Sequence, residues 1–196
     1  MNMKNRGRLF IVSGPSGVGK TTICKELCNH FPTLKWSVSV TTRNKRKGER
    51  EGVDYWYMPE KEFLQKVERD EFIEYAQVHG HYYGTLRGPL EEALLGGCHY
   101  LLEIDVQGAA KIKARNLYDP VLIFIMPPDL ESLHQRLCKR NSETAEVIEG
   151  RLKNAAGELQ EARFYDHYVV NHDLENTIVE VRKIVEDSIP HRSSET

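Results

Sequence analysis

The chain has 196 residues, a length that suits one domain with small inserted lobes and allows a sizeable core. Hydrophobic residues make up 40% and charged residues 29% of the sequence, and the net charge of −2 excludes a general polyanion-binding surface. No apolar run approaches the roughly 20 residues that cross a bilayer, and residues 1–8 lack the apolar core of a signal peptide. A cytoplasmic enzyme fits these observations, and neither a nucleic acid nor a membrane is expected as a partner.

The first candidate site is a glycine-rich segment, GPSGVGKT, at residues 14–21. A short apolar run at 9–12 precedes it and a segment with helical spacing at 22–28 follows it, so the order predicts a phosphate-binding loop between a strand and a helix. Small residues allow backbone N–H groups to surround phosphate oxygens, and the helix N-terminus adds positive potential. We expect Lys20 to reach the β- and γ-phosphates of a nucleoside triphosphate and the Thr21 hydroxyl to bind Mg²⁺.

A polar segment at 41–52, rich in basic residues, follows a predicted strand at 36–40. Charge runs of this kind are typically solvated loops. Arg43 and Arg46, three residues apart beside a strand end, favour a second interpretation, because arginine offers two parallel donors to phosphate oxygens. The residues alone leave both interpretations open.

The segment from about 37 to 88 differs from the strand and helix alternation around it and is interpreted as an inserted substrate lobe. The strands predicted along the rest of the chain are 53–57, 71–78, 100–105, 121–126 and 168–171, and the predicted helices are 59–69, 89–95, 109–115, 129–140, 145–164 and 174–187. This alternation predicts an α/β fold with a parallel sheet.

Two acidic residues end the predicted strand at 100–105. Glu103 and Asp105 are two positions apart, so on a strand their side chains point to the same face. Ligands of parallel sheets bind at the carboxyl ends of the strands, where a carboxylate can orient Mg²⁺ and its waters. We therefore expect both acids in the cleft beside the glycine-rich loop; the alternative is a solvated strand end.

Two predicted helices joined by a polar turn at 141–144 carry several basic side chains. Arg136, Arg140 and Arg151 lie in this helical hairpin, which is predicted to close as a lid and bring arginines to a transferred phosphoryl group. From periodicity alone, Arg136 is equally compatible with a surface helix charge.

An ordered set of motifs resembles the guanylate kinase family along nearly the whole chain. The motifs are GPSGVGKT at 14–21, SVSVTTR at 37–43, GVDY at 52–55, FIEYA at 72–76, YYGT at 82–85, EIDVQG at 103–108 and VNHD at 170–173. The resemblance implies transfer of the γ-phosphoryl group of Mg-ATP to GMP, and to dGMP, in a P-loop NTPase fold. It implies a core of parallel sheet and flanking helices in 1–36, 89–130 and 165–190, a mixed α/β GMP-binding lobe in 37–88 and a helical lid in 131–164.

The resemblance also implies roles for individual residues. The implied GMP-binding residues are Ser39, Arg43, Arg46, Tyr55, Glu74, Tyr83, Thr85, Glu103 and Asp105. The implied ATP-binding residues are Gly14, Pro15, Ser16, Gly17, Val18, Gly19, Lys20, Thr21, Thr22, Arg136 and Asn171. The implied catalytic residues are Lys20, Arg46, Arg140 and Arg151, and Mg²⁺ is implied at Thr21 and, through water, at Asp105.

The implied acceptor site divides into a part for the phosphate and a part for the base. The phosphate clamp consists of Arg43, Arg46, Tyr55 and Tyr83. Glu74 can accept hydrogen bonds from guanine N1–H and the exocyclic amine, which adenine does not offer in that arrangement, so AMP is expected to be rejected. Ser39 and Thr85 match hydroxyls near the base, where they can donate to O6.

The sequence departs from the family pattern at two positions, and two other functions remain as alternatives to the kinase. Glu103 and His172 stand where aspartates are common in the family. A guanylate-kinase-like module that binds a phosphorylated protein usually has a degraded phosphate loop, whereas Lys20 and Thr21 are present here. A kinase for a phosphorylated sugar would not need Glu74 together with Ser39. The expected partners are ATP and GMP, with no obligate protein partner.

Overall fold

A computed structural model describes residues 6–78, 80–138 and 145–189. Its strands are β1 (Leu9–Ser13), β2 (Leu34–Trp36), β3 (Val40–Thr41), β4 (Trp56–Tyr57), β5 (Phe72–Val78), β6 (His81–Leu86), β7 (His99–Glu103), β8 (Val121–Met126) and β9 (His167–Val170). Its helices are α1 (Lys20–His30), α2 (Glu60–Glu68), α3 (Arg87–Leu95), α4 (Val106–Ala114), α5 (Leu130–Cys138), α6 (Ala145–Glu161) and α7 (Leu174–Ser188). None of these described helices has the length and apolar composition needed to cross a membrane.

The main sheet is parallel and has helices on both faces, which confirms the predicted α/β class. Its strand order is β2-β7-β1-β8-β9, with β1 buried in the centre. Leu9 and Ile11 of β1 pack into the core cluster that contains α3 and α4, while Phe10 and Val12 pack into the cluster that contains α1 and α7. A strand buried on both faces needs consecutive apolar residues, which explains the uninterrupted apolar run in the sequence.

A smaller second sheet, with the order β4-β3-β6-β5, is built from residues between β2 and α3. Strand β6 pairs antiparallel with β3 and β5, whereas β3 and β4 are parallel. Phe63 of α2 is fully buried and stacks on Phe72 at 4.3 Å and on Tyr82 at 5.3 Å between ring centroids. This aromatic stack holds α2 on the second sheet, and the sheet and helix together have a separate hydrophobic core.

The strand predicted at 36–40 is divided between the two sheets. Ser37 N–H still donates to Leu101 O at 2.9 Å beside the main sheet, but Ser39 O accepts from Trp56 N–H at 2.8 Å beside the second sheet. Residues 37–39 therefore form the crossing between the sheets. The alternating pattern that predicted one strand begins at the end of β2 in the main sheet and finishes at the start of β3 in the second sheet.

Two other predicted strands are shorter in the structure. Gly52, with φ of +72°, opens a turn in which its N–H donates to Tyr55 O at 2.9 Å, so only Trp56 and Tyr57 remain to pair in β4. At the other site, β7 ends at Glu103 because Asp105 is the N-cap of α4, where its Oδ1 accepts from Gly108 N–H at 2.8 Å. The prediction that Glu103 and Asp105 share one strand face was therefore wrong.

Candidate active site

The glycine-rich loop follows β1 and ends where α1 begins at Lys20. Gly14 has φ of +143°, and a Cβ at this position would lie 2.2 Å from Ile125 O, so only glycine fits against β8. Gly19 has φ of +102°, with a Cβ position 3.0 Å from Asn171 Nδ2. Lys20 Nζ donates to Gly14 O at 2.5 Å and to Pro15 O at 3.0 Å. The sequence thus places an ammonium group across the loop at the N-terminus of a helix.

Parallel pairing brings an acid to the start of α1. Val12 of β1 lies in register with Glu103 of β7, and Thr21 Oγ1 donates to Glu103 Oε1 at 2.8 Å. A hydroxyl and a carboxylate oxygen are hard donors of the kind that Mg²⁺ takes together with substrate phosphates and water. The donor set at Thr21 and Glu103 therefore fits the implied metal, although residues 6–78, 80–138 and 145–189 contain no cluster of three ligating acids, histidines or cysteines.

Glu74 is a carboxylate held in a nearly closed environment between β5, β6 and α4. Its side chain belongs to a residue that is 7% exposed, and Thr85 Oγ1 donates to Oε1 at 2.8 Å. A Cβ on Gly108 would lie 2.8 Å from Glu74 Oε2, so α4 approaches the carboxylate closely only because residue 108 is glycine. Burial raises the pKa of Glu74 to about 7; Asp105 adds to the rise, and the hydrogen bond from Thr85 and the charge of Lys111 oppose it.

Arg43 lies at the centre of a group of aromatic and acidic side chains. Its guanidinium forms a bidentate pair with Glu49 at 2.7 and 3.0 Å and lies over the Tyr55 ring at 5.4 Å and the Tyr57 ring at 6.0 Å. Tyr55 and Tyr83 meet edge to face at 6.0 Å between centroids. The pair with Arg43, with further hydrogen bonds, lowers the pKa of Glu49 to about 2.

A cleft of about 690 Å³ extends from the glycine-rich loop to Ser39 and Tyr55, which immediately precede β3 and β4 of the second sheet. The sequence-predicted residues in its lining are Gly14, Ser16, Lys20, Thr21, Ser39, Tyr55, Glu103 and Asp105. Trp36, Glu49 and Glu158 also line it. Its walls therefore carry a phosphate-binding loop on one side and part of the predicted acceptor site on the other.

Comparisons with known proteins agree with the motif resemblance. The family model described as Guanylate kinase matches residues 6–188. This chain belongs to the guanylate kinase family. It is 46% identical to "Guanylate kinase" of Syntrophotalea carbinolica over 183 residues (93% of this chain, 87% of the relative) and 46% identical to that of Geobacter metallireducens over 184 residues (93% and 90%). The crystal structure of guanylate kinase from Anaplasma phagocytophilum matches with a TM-score of 0.77 and 38% identity, covering 94% of this chain and 87% of that chain.

Two residues implied for ATP binding, Asn171 and Arg136, and one implied for catalysis, Arg151, contact the glycine-rich loop directly or through one another. Asn171 is 3% exposed; its Nδ2 donates to Val18 O at 2.7 Å, and its Oδ1 accepts from Thr177 Oγ1 at 3.1 Å. Arg136 donates to the backbone oxygen of Asn171 at 2.8 Å. Arg151 of α6 donates to Ser16 Oγ at 2.8 Å. These contacts connect β9, α5 and α6 to the back and the rim of the phosphate loop.

Two other arginines implied as catalytic, Arg46 and Arg140, are not among the residues that contact the glycine-rich loop in the part of the chain that the structure describes. Arg140 lies outside the described residues. Arg46 has an exposed side chain, and its backbone N–H donates to Glu49 Oε2 at 2.7 Å. Glu49 itself was missed by sequence reasoning, because its role depends on how the 41–52 loop folds back on Arg43. The available signal was a single acid among five basic residues between positions 43 and 50.

Proposed function

We propose that this protein is a guanylate kinase that transfers the γ-phosphoryl group of Mg-ATP to GMP, and to dGMP, giving ADP and GDP for purine nucleotide metabolism. The observation that supports the proposal is the cleft that extends from the loop around Lys20 to the surface bearing Ser39 and Tyr55. Two nucleotides that face each other across this cleft gain proximity and alignment for a direct in-line transfer.

The acceptor base is selected by Glu74. Its ionised carboxylate accepts from guanine N1–H and the exocyclic amine, while Thr85 and Ser39 supply hydroxyl groups to the same region. Adenine presents no matching donor pair, and a buried carboxylate without partners is costly. We expect kcat/KM for AMP to be several orders of magnitude lower than for GMP. Sites built around buried polar groups reject substrates that leave those groups unpaired.

The acceptor phosphate binds at the phosphate clamp, where Arg43 stands against Tyr55 and Tyr83. The guanidinium group suits a phosphate dianion because it is positively charged and offers parallel N–H donors of fixed geometry. The phenol groups add neutral O–H donors. The transferred group is neutralised by Lys20, Arg46, Arg140 and Arg151, with Arg151 held beside the loop through Ser16. Mg²⁺, when bound with ATP at Thr21 and through water at Asp105, supplies further charge neutralisation.

Three regions of the chain divide this work. The core comprises 1–36, 89–130 and 165–190, the GMP-binding lobe 37–88 and the lid region 131–164. Closure of lobe and lid excludes water, which otherwise accepts the phosphoryl group. The substrates are free nucleotides in the cytoplasm, and activity requires no protein partner, nucleic acid or membrane.

A coupled assay of ADP release tests the proposed function. Mg-ATP is supplied with GMP, AMP, CMP or UMP, for the parent protein, for Lys20→Ala and for Lys35→Ala, which removes an exposed lysine of β2. We expect turnover confined to GMP, its loss by a factor of about 10³ or more in Lys20→Ala, and parent activity in Lys35→Ala. Absence of turnover with every acceptor, together with retained GMP or phosphopeptide binding, would instead favour an interaction module.

A further inference from the structure

The Glu49 carboxylate accepts four hydrogen bonds from three residues. Its Oε1 accepts from Arg43 Nη2 at 2.7 Å, and its Oε2 accepts from Arg43 Nη1 at 3.0 Å, from Arg46 N–H at 2.7 Å and from the Tyr57 hydroxyl at 2.8 Å. The carboxylate thus ties a guanidinium, a backbone amide and a phenol to one point of the 41–52 loop. No motif assigned a role to this residue.

The pair with Glu49 uses only one end of the Arg43 guanidinium. Of the five N–H groups of an arginine, two go to Glu49 and a third goes from Nη1 to Asn44 O at 2.7 Å. The Nε–H and the second Nη2–H are not used by these three bonds, and they form the parallel side edge that suits a phosphate or carboxylate. The Tyr83 hydroxyl also interacts with this guanidinium. The rings of Tyr55 and Tyr57 contact the guanidinium, which limits its rotation.

We propose that Glu49 is the positioning residue of the phosphate clamp: it holds the end of Arg43 so that the side edge of the guanidinium is fixed for the acceptor phosphate. The inference rests on the proposed function, because it takes Arg43, Tyr55 and Tyr83 as the site of the GMP phosphate. Glu49 acts through Arg43 and does not itself bind the phosphate dianion, since both groups are negatively charged.

The same contacts are compatible with a competing role for Glu49, in which its carboxylate occupies the place of the acceptor phosphate. If Glu49 stood in for the phosphate and had to be displaced, its removal would strengthen GMP binding. Two contacts favour positioning: the Arg46 backbone N–H and the Tyr57 hydroxyl anchor the carboxylate to the loop, and Tyr57 is not part of the clamp. The low pKa of Glu49 keeps the group ionised across the working range of an assay, so protonation does not release Arg43.

Calorimetric titration of GMP and guanosine into the parent, Glu49→Gln and Glu51→Gln tests the proposal. Glutamine keeps the size of the side chain, but its NH₂ group cannot accept from Arg43. We expect Glu49→Gln to bind GMP about tenfold or more weakly, to bind guanosine as the parent does, and to raise KM for GMP more than it lowers kcat. Glu51→Gln, an equal charge change at an exposed site in the same loop, is expected to match the parent.

The two ligands separate the possible failures. Tighter or unchanged GMP binding by Glu49→Gln overturns the positioning role, and so does an equal weakening of GMP and guanosine, which indicates general disruption of the loop. A parent protein that binds guanosine as tightly as GMP would remove the phosphate clamp from the proposed function as well. Weak GMP binding by Glu49→Gln with parent-like guanosine binding supports both.

Discussion

At the scale of single residues, Glu74 combines burial with the need for a negative charge. The Thr85 hydroxyl donates to Oε1 of the carboxylate, while Gly108 leaves room for Oε2. Because burial raises its pKa to about 7, the free protein holds Glu74 partly protonated near neutral pH. The proposed recognition of guanine by Glu74 requires the ionised form, so under that proposal guanine binding and deprotonation of Glu74 are linked.

We therefore expect guanosine affinity to depend on pH in a defined direction. Below a pH of about 7 the association constant should fall about tenfold per pH unit, because each bound guanosine must first displace the proton of Glu74. Calorimetric titration between about pH 5.5 and pH 8.5 measures this, and guanosine is chosen because it lacks a titrating phosphate. Glu74→Gln should bind weakly without the pH step; a flat profile for the parent would contradict the assignment.

At the scale of elements, helix α4 packs against strand β5 of the second sheet, next to Glu74. Asp105 caps the helix, Gly108 lies against Glu74, and Lys111 Nζ donates to Tyr75 O at 2.5 Å on strand β5. These positions are three residues apart and so lie on nearly the same side of the helix. Lys113 contacts Phe164 O beyond the end of α6. Helix α4 thereby connects the Glu74 carboxylate and strand β5 to the segment that follows α6.

Gly108→Ala tests whether α4 sets the position of Glu74. Alanine favours a helix by about 1 kcal/mol over glycine, but its Cβ would lie 2.8 Å from Glu74 Oε2 and must displace the carboxylate. We expect KM for GMP to rise about tenfold or more and KM for ATP to change little. Gly157→Ala on α6, where a Cβ meets nothing within 4 Å, is the control. Equal kinetics for the two variants would exclude this role of Gly108.

Elements with continuous patterns were predictable from the sequence, whereas those that depend on tertiary pairing were not. The run at 121–126 became β8 with the predicted bounds, since a strand buried on both faces has a clear composition. The pattern at 36–40 could not show a change of sheet, because alternation is the same on either surface. Asp105 was assigned to a strand because a carboxylate after an apolar run gives no sign of whether it caps the next helix.

At the scale of the whole molecule, the two sheets are joined by polar contacts as well as by the chain. Arg115, which follows α4, donates to Ile73 O at 3.4 Å and pairs with Asp70 at 3.4 Å. Arg87 at the start of α3 pairs with the same aspartate at 2.7 Å. These pairs are partly exposed, so each contributes modestly to stability, and the buried carboxylate of Glu74 has a larger effect on unfolding.

The free energy of unfolding should decrease as pH rises because of Glu74. Its folded pKa of about 7 exceeds its ordinary value of 4.5, so its favourable contribution is complete below pH 4.5 and is lost as pH rises through 7. We expect ligand-free Glu74→Gln to be more stable than the parent by about 1 to 3 kcal/mol at pH 8 and by less at pH 5. Urea unfolding at both pH values measures the difference, and an equal difference at the two pH values would contradict the expectation.

The two tryptophans of the chain stand on different sheets. Trp36 ends β2 and lines the cleft, whereas Trp56 lies in β4, is 46% exposed and packs against Gly52. Their positions give the protein an intrinsic optical reporter for each half of the site. In Trp56→Phe, the remaining indole emission would follow nucleotide entry at the cleft alone, without any attached dye.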